Sequence, residues 1–277
     1  RRGSDETHLG LEGQETVVDI GIPAAGLQLE KFVLEGIPRE GLCHLCLGQG
    51  EEVCWMQDPA PPRAQYDERP GRWVCEDSWP TPRIAVRSFG LAADGLSEKQ
   101  VSEGAFVISS PQTVGVSAGK WTAYGTEPDL PTDQRQDAGG ALIFDSPPLA
   151  EDFEILGAPL VKLAVSADRP NAIVAAVLSD VQADGAATQV SYGVLNLTHR
   201  ESHEFPQPLV PGQVYRITLK LNDIAHHFRR GHRVRVAHRL GCDLITSTAE
   251  PGSQSERNLI RHGFRPIFQL EFWSPPE

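Results

Sequence analysis

The chain has no run of about twenty apolar residues, so no stretch of it suits a bilayer-spanning helix. It also lacks a surplus of positive charge: 25 Lys and Arg stand against 37 Asp and Glu, a formal net charge of -12. That balance argues against non-specific attachment to nucleic acid or an anionic membrane. The expected partner is a small molecule, a peptide or a carbohydrate. A complete zinc spacing is missing too. Cys43 and Cys46 form a Cys-x-x-Cys with Cys54 close behind, but no second pair stands near them, so neither metal nor other cofactor is expected. Cys75 and Cys242 lie apart, and an odd total of five does not read as a disulfide framework, which makes a reducing cytoplasm the expected location. There is no internal repeat and no low-complexity tail. The opening RRGSDETHLG has neither Met nor an apolar signal core, the start expected of a processed or truncated chain.

What the chain does have is a train of strand-length apolar bursts, densest between Ala141 and Val236. Leu142–Phe144, Leu160–Val165, Ile173–Leu178, Val190–Leu197, Val214–Leu221 and Val234–Ala237 alternate with Pro, Gly, Asp and Asn. Strands at such intervals predict a β-sandwich or jelly roll. Upstream, Ile84–Phe89 and Ala105–Ser109 read as further short strands. The stretch from Val53 to Ile84 is crowded with Pro59, Pro61, Pro62, Pro70, Pro80 and Pro82, which forbid a continuous helix. Its Trp55, Trp73 and Trp79 supply large apolar area along an extended path, either as a strap across a sheet or as a ligand platform. Residues 1–52 are expected to be an irregular N-terminal extension, with a short helix over Leu27–Leu34, and 53–277 the sandwich domain. FRPIFQLEFW near the C-terminus offers one last strand.

At several points the sequence resembles the C-terminal β-sandwich of the X-prolyl dipeptidyl-peptidase/cocaine-esterase (CocE/NonD) serine hydrolases. The residues that carry the resemblance are WMQD at Trp55–Asp58, YDERPGRWV at Tyr66–Val74, WP at Trp79–Pro80, DLPTDQRQD at Asp129–Asp137 and FDSPPLAEDFEILGAP at Phe144–Pro159. YGVLNLTHR at Tyr192–Arg200, PLVPGQVY at Pro208–Tyr215 and GHRVRV at Gly231–Val236 continue the series. The resemblance implies an all-β jelly roll of the galactose-binding-like type. It also implies a role beside an α/β-hydrolase domain that holds the catalytic triad. About fifty residues stand upstream where the family has several hundred, and AHRLGCDLITSTAEPGSQSERNL replaces the family's closing strands. Truncation or a frame change at each end is expected, and with it an uncovered sheet edge that favours self-association into a homo-oligomer.

Four constellations are candidates for chemistry. Gly115-Val116-Ser117-Ala118-Gly119 matches the Gly-x-Ser-x-Gly of a nucleophile elbow, and Asp145 and His199 follow in a triad order, although Asp180, Asp223, His203 and His226 would serve that order too. No strand–helix alternation precedes Ser117, and a Gly-flanked turn is the plainer reading. His199 and His203 stand at i, i+4, with His226, His227, His232 and His238 further on. Zinc proteases place such a pair on a helix around a Glu, whereas here it follows a strand-like run, and a polar hairpin end is the plainer reading. Asp145, Glu151, Asp152 and Glu154 cluster, and a glycosidase needs two such carboxylates facing a groove, while Asp180–Gly185 reads as an ordinary turn with solvated acids. Trp55, Trp73, Trp79 and Trp121 are candidates for stacking on a sugar. Arg233 and Arg235 share a strand face and are expected to pair with acids such as Asp223 or Glu154. The best-supported reading is a non-catalytic accessory domain of a serine hydrolase acting on acyl-ester or X-Pro peptide bonds. A stand-alone esterase or glycosidase and a carbohydrate-binding module are the alternatives.

Overall fold

The computed structural model describes residues 16–19, 26–37, 52–79, 81–98, 106–111, 113–120, 128–240, 254 and 257. Trp121, Cys43, Cys46, Cys242 and the FRPIFQLEFW strand lie outside the described residues. The chain divides into a unit over Arg1–Cys242 and another over Asp243–Glu277. In the second, Gln254 and Arg257 are helical and joined by an Arg257 Nη2–Gln254 Oε1 hydrogen bond of 3.1 Å.

The described residues of the first unit form fourteen strands: β1 (Thr16–Asp19), β2 (Gly26–Ile37), β3 (Glu52–Gln57), β4 (Gly71–Glu76), β5 (Ala85–Ala92), β6 (Gly95–Ser97), β7 (Leu142–Asp145), β8 (Phe153–Gly157), β9 (Leu160–Val165), β10 (Ile173–Val181), β11 (Ala187–Asn196), β12 (Tyr215–Lys220), β13 (Ile224–Phe228) and β14 (Arg233–Leu240). Short 3-10 turns at Gln134–Gly140 and Leu197–His199 are the helical content of the described residues of this unit. The strands form a ten-stranded sheet along the path β12-β9-β2-β8-β13-β3-β4, with β1, β5 and β6 beside it, and a four-stranded sheet β11-β10-β14-β7.

Alternation decides which side of each strand meets the other sheet. From the larger sheet, Phe153 and Ile155 of β8, Val161, Leu163 and Val165 of β9, Ile217 and Leu219 of β12 and Phe228 of β13 enter one buried cluster. From the smaller, Val174, Ala176 and Leu178 of β10, Val234 and Val236 of β14 and Phe144 of β7 meet them. This is an all-β sandwich with its core between two sheets. The even burial along β10, against the one-in-two burial along β12, separates a central strand from an outer one. The β10–β11 hairpin closes through Gly185 at φ +86°, where a side chain would be strained, and Gly185 N–H bonds the Gln182 carbonyl at 2.9 Å.

Two sequence expectations fail here. Leu27–Leu34 is strand, not helix: β2 bonds antiparallel to β9 on one side (Leu27↔Val165) and to β5 on the other (Phe32↔Phe89). The text LQLEKFVL suits either period, and ladders on both sides decide it. The first 52 residues therefore contain regular structure. Phe106–Ser109 forms no strand, only an isolated bridge at Phe106.

Candidate functional site

The most concentrated chemistry lies on β13, whose consecutive histidines point to opposite faces. His226 is fully buried and faces the smaller sheet. Its Nε2 stands 3.2 Å from Asp180 Oδ2, while His232 Nδ1, on the turn leading into β14, stands 2.8 Å from Asp180 Oδ1. Asp180 sits on β10 opposite Val234 and is 1% exposed, so a carboxylate in the sandwich interior is bound across the two sheets by two imidazoles. A carboxylate accepts at both oxygens, so each ring presents an N–H, and His226 Nδ1 is left buried with no partner. Burial pushes the His226 pKa below its ordinary value, and Asp180 works in the opposite direction. Asp180 is thus a strand residue and not the solvated turn acid expected from DVQADG. The strand runs on to Val181, and the turn belongs to Asp184, whose Oδ1 accepts from the Ala186 N–H at 2.9 Å.

On the opposite face His227 lies between two carboxylates, with Nδ1 2.9 Å from Asp58 Oδ1 and Nε2 3.4 Å from Asp152 Oδ2. Arg72 of β4 joins the group, 2.6 Å from Glu154 and 3.6 Å from Asp58. Strand register explains the convergence: His227 pairs with Glu154 across β13 and β8, and Asp58 directly follows the β3 residue bridged to His226. Asp152 accepts in addition from the Arg230 N–H at 2.8 Å. Asp145 is gripped by Arg235, Nε to Oδ1 at 2.6 Å and Nη2 to Oδ2 at 2.8 Å. The expected partners of Arg235 are therefore corrected. Glu154 belongs to Arg72, and Asp223 lies 3.5 Å from Lys220. Of the clustered acids, Asp145, Asp152 and Glu154 each meet a basic side chain, and Glu151 is exposed. That arrangement holds strands together and presents no bare pair of carboxylates to a groove.

The three triad candidates are not brought together. Ser117 is 2% exposed; its Oγ donates to Gln136 Oε1 at 2.9 Å and its N–H to Asp137 Oδ2 at 3.2 Å. Its carbonyl accepts from Gln134 Nε2 at 2.7 Å, so the residue is the knot that ties its turn to the Gln134–Gly140 segment. His199 ends the Leu197–His199 turn; its ring stands 5.5 Å from that of His203, and its Nδ1 is buried without a partner. A shallow hollow of about 10 Å³, room for roughly one water, lies between the Gln134–Gly140 segment and the smaller sheet, lined by Gln134, Asp137, Ser179 and Arg235 among others. No imidazole lines it.

Trp55 and Trp73 pair across β3 and β4, with ring centroids 5.2 Å apart and edge to face. Trp73 is 68% exposed, unusual for so large an apolar side chain, and Trp79 is exposed as well. Sequence reasoning named Asp180 but set it in a turn, and it missed the Asp58–His227–Asp152 group. The signal available was the tandem His226-His227, whose alternate faces each demand a polar partner.

Residues 57–237 match the family model for the X-Pro dipeptidyl-peptidase C-terminal non-catalytic domain. A Mycobacterium bovis protein described as a serine esterase is 27% identical over 201 residues, 64% of this chain and 32% of that protein. Cocaine esterase of a Rhodococcus species is 25% identical over 178 residues, 59% of this chain and 31% of the esterase. The aminopeptidase structure from a marine sediment Thaumarchaeota archaeon superposes with a TM-score of 0.49 at 21% identity, covering 62% of this chain and 32% of that one. The chain spans about a third of the length of the curated relatives it matches.

Proposed function

Since the chain belongs to the family of X-Pro dipeptidyl-peptidase C-terminal non-catalytic domains, we propose that it is the accessory jelly-roll sandwich of a serine hydrolase that cleaves acyl-ester or X-Pro peptide bonds. In this reading it shapes the assembly around a catalytic centre and supplies no nucleophile of its own. The observation that carries the proposal is the state of Ser117. A serine nucleophile needs a base within hydrogen-bond reach of its hydroxyl, and Ser117 Oγ instead donates to the Gln136 carboxamide. The matched relatives named as esterases support the hydrolase context, and the matched region falls within about a third of their length. The test is turnover of p-nitrophenyl esters by the purified chain. No hydrolysis above buffer is expected, and Ser117→Ala changes nothing. A rate that disappears in Ser117→Ala overturns the proposal.

The terminal strands support self-association, which we include in the proposal: β4 and β12 end the path of the larger sheet, and β11 and β7 end the smaller. Cys75 is a buried free thiol, which supports a reducing compartment such as the cytoplasm. Among the described residues no helix is long and apolar enough to cross a membrane. A second reading, sugar binding, is favoured by the exposed Trp73 beside Trp55. It predicts quenching of Trp fluorescence by simple sugars, lost in Trp73→Ala.

A further inference from the structure

The histidine pair in the loop between β11 and β12 is not used by the accessory-domain reading. We propose that His199 and His203 form a two-imidazole chelate for a first-row divalent cation of borderline softness, Cu2+ or Zn2+. The backbone between the two residues is held in place before any ion arrives. Asn196 caps the turn by accepting from Thr198 N–H at 3.1 Å, and Arg200 continues it in the right-handed helical region at φ -54°, ψ -32°. The Arg200 guanidinium donates to the carbonyls of Leu197 and Gln207 at 3.0 and 2.8 Å and lies 4.2 Å over the Tyr215 ring. Beyond it, Ser202 Oγ accepts from the N–H groups of Glu204 and Phe205, each at 3.1 Å. These bonds fix the loop on both sides of Glu201 and bring the two rings to 5.5 Å with 37° between their planes.

With metal–nitrogen distances of about 2.0–2.1 Å, two cis imidazoles on one ion have ring centroids roughly 4.5–5.2 Å apart. The observed separation is a few tenths of an ångström wider. His203 is exposed, so a small rotation of its ring can close that gap, and His199 is half-buried. His199 Nδ1 is a buried polar atom with no hydrogen-bond partner, and a bound cation offers its lone pair an electrophile. Imidazole nitrogen selects Cu2+ and Zn2+ over Mg2+ and Ca2+. Among the described residues no group of three His, Cys, Asp or Glu is placed to hold an ion. The remaining coordination positions belong to donors outside that set, water among them.

The experiment titrates Cu2+, Zn2+ and Mg2+ separately into the full chain by equilibrium dialysis and records the Cu2+ electron paramagnetic resonance spectrum. Because other His and Cys of the chain also bind such ions, the readout is the difference between the parent and His203→Ala, with Asp223→Asn as a surface control. The expected result is a Cu2+ site tighter than the Zn2+ site, no competition by Mg2+, and two equatorial nitrogens in the spectrum. His203→Ala should weaken that site at least tenfold and leave a single nitrogen, with the far-ultraviolet dichroism and melting curve unchanged. His203→Gln, which keeps the side chain polar, should behave in the same way. Parent-like affinity and spectrum in both variants, or no ion held by the parent at 100 µM or below, overturns the proposal.

Discussion

His226 and His238 take equivalent places in the sandwich and differ in one respect. Both point inward, His226 from the larger sheet and His238 from the smaller, and both are fully buried. His226 meets Asp180 across the interior at 3.2 Å. His238 meets the edge of the Phe144 ring, with centroids 5.9 Å apart, and neither of its nitrogens has a partner. Burial pushes both pKa values down, to about 4 for His238, for which it is the sole cause. The pair separates two effects usually met together. Desolvation sets the direction of a shift, and the partner sets what a substitution breaks. An imidazole in a core is therefore no sign of a catalytic base unless something reactive faces it.

The severest way to break the comparison is Asp180→Ala. It leaves the His226 Nε2–H and the His232 Nδ1–H without their acceptor, and each buried donor so orphaned costs about 1–3 kcal/mol. Urea unfolding at pH 7.5 should show the loss in its midpoint, with the slope unchanged. If Asp180→Ala unfolds with the parent, the cross-sheet bond carries no stability.

Acid comes next. Below the ordinary imidazole pKa of about 6.5 the unfolded chain takes up a proton that buried His238 refuses until about pH 4. Stability is therefore full above pH 6.5 and falls on going down to about pH 4. For His238 alone the fall is about 3 kcal/mol, and His226 adds in the same sense. His238→Leu should flatten that part of the profile and melt higher than the parent at pH 5. An unaltered slope in His238→Leu would place the acid sensitivity elsewhere.

A smaller effect is expected on the opposite face of β13. Arg72→Ala leaves Glu154, 3% exposed, without its 2.6 Å partner, at a cost of about 1–3 kcal/mol. A double-mutant cycle with Glu154→Gln should recover most of it. The smallest effect is that of Ser117→Ala, which removes one hydrogen bond worth about 1 kcal/mol. Differential scanning calorimetry should register it, and a loss as large as that of Asp180→Ala would mean the Ser117 knot governs the fold.

The strands with the plainest alternation were legible from sequence: β7, β9, β10, β11, β12 and β14 all fall within a few residues of the apolar bursts that announce them. Those that were not legible failed for distinct reasons. The β3–β4 pair is embedded in prolines and tryptophans that look like a strap, and β2 is written in letters that suit two periods. Asp180 was misplaced because DVQADG reads as a turn, and its pairing with Thr188 of β11 and Val234 of β14 shows that the strand has not yet ended. The residues that compose the polar groups come from positions as distant as Asp58 and His227, and no spacing rule joins them. Ser117 shows the converse: a motif complete in sequence whose hydroxyl meets a carboxamide in place of a base.

The place of β2 has a consequence for how the protein is made. Gly26–Ile37 leaves the ribosome well before its partner Leu160–Val165, yet it is zipped between β5 and the β8–β9 segment, so that ladder must wait until β9 is made. Until then β1 and β5 can cover one edge of β2, and the edge that β9 fills stays open. Contacts this distant in sequence slow folding and lengthen the interval in which a neighbouring chain can occupy the vacant position. Refolding yield should therefore fall with protein concentration well before equilibrium stability is affected. A prolyl isomerase should not restore it, and a holdase that shields β2 until β9 arrives should.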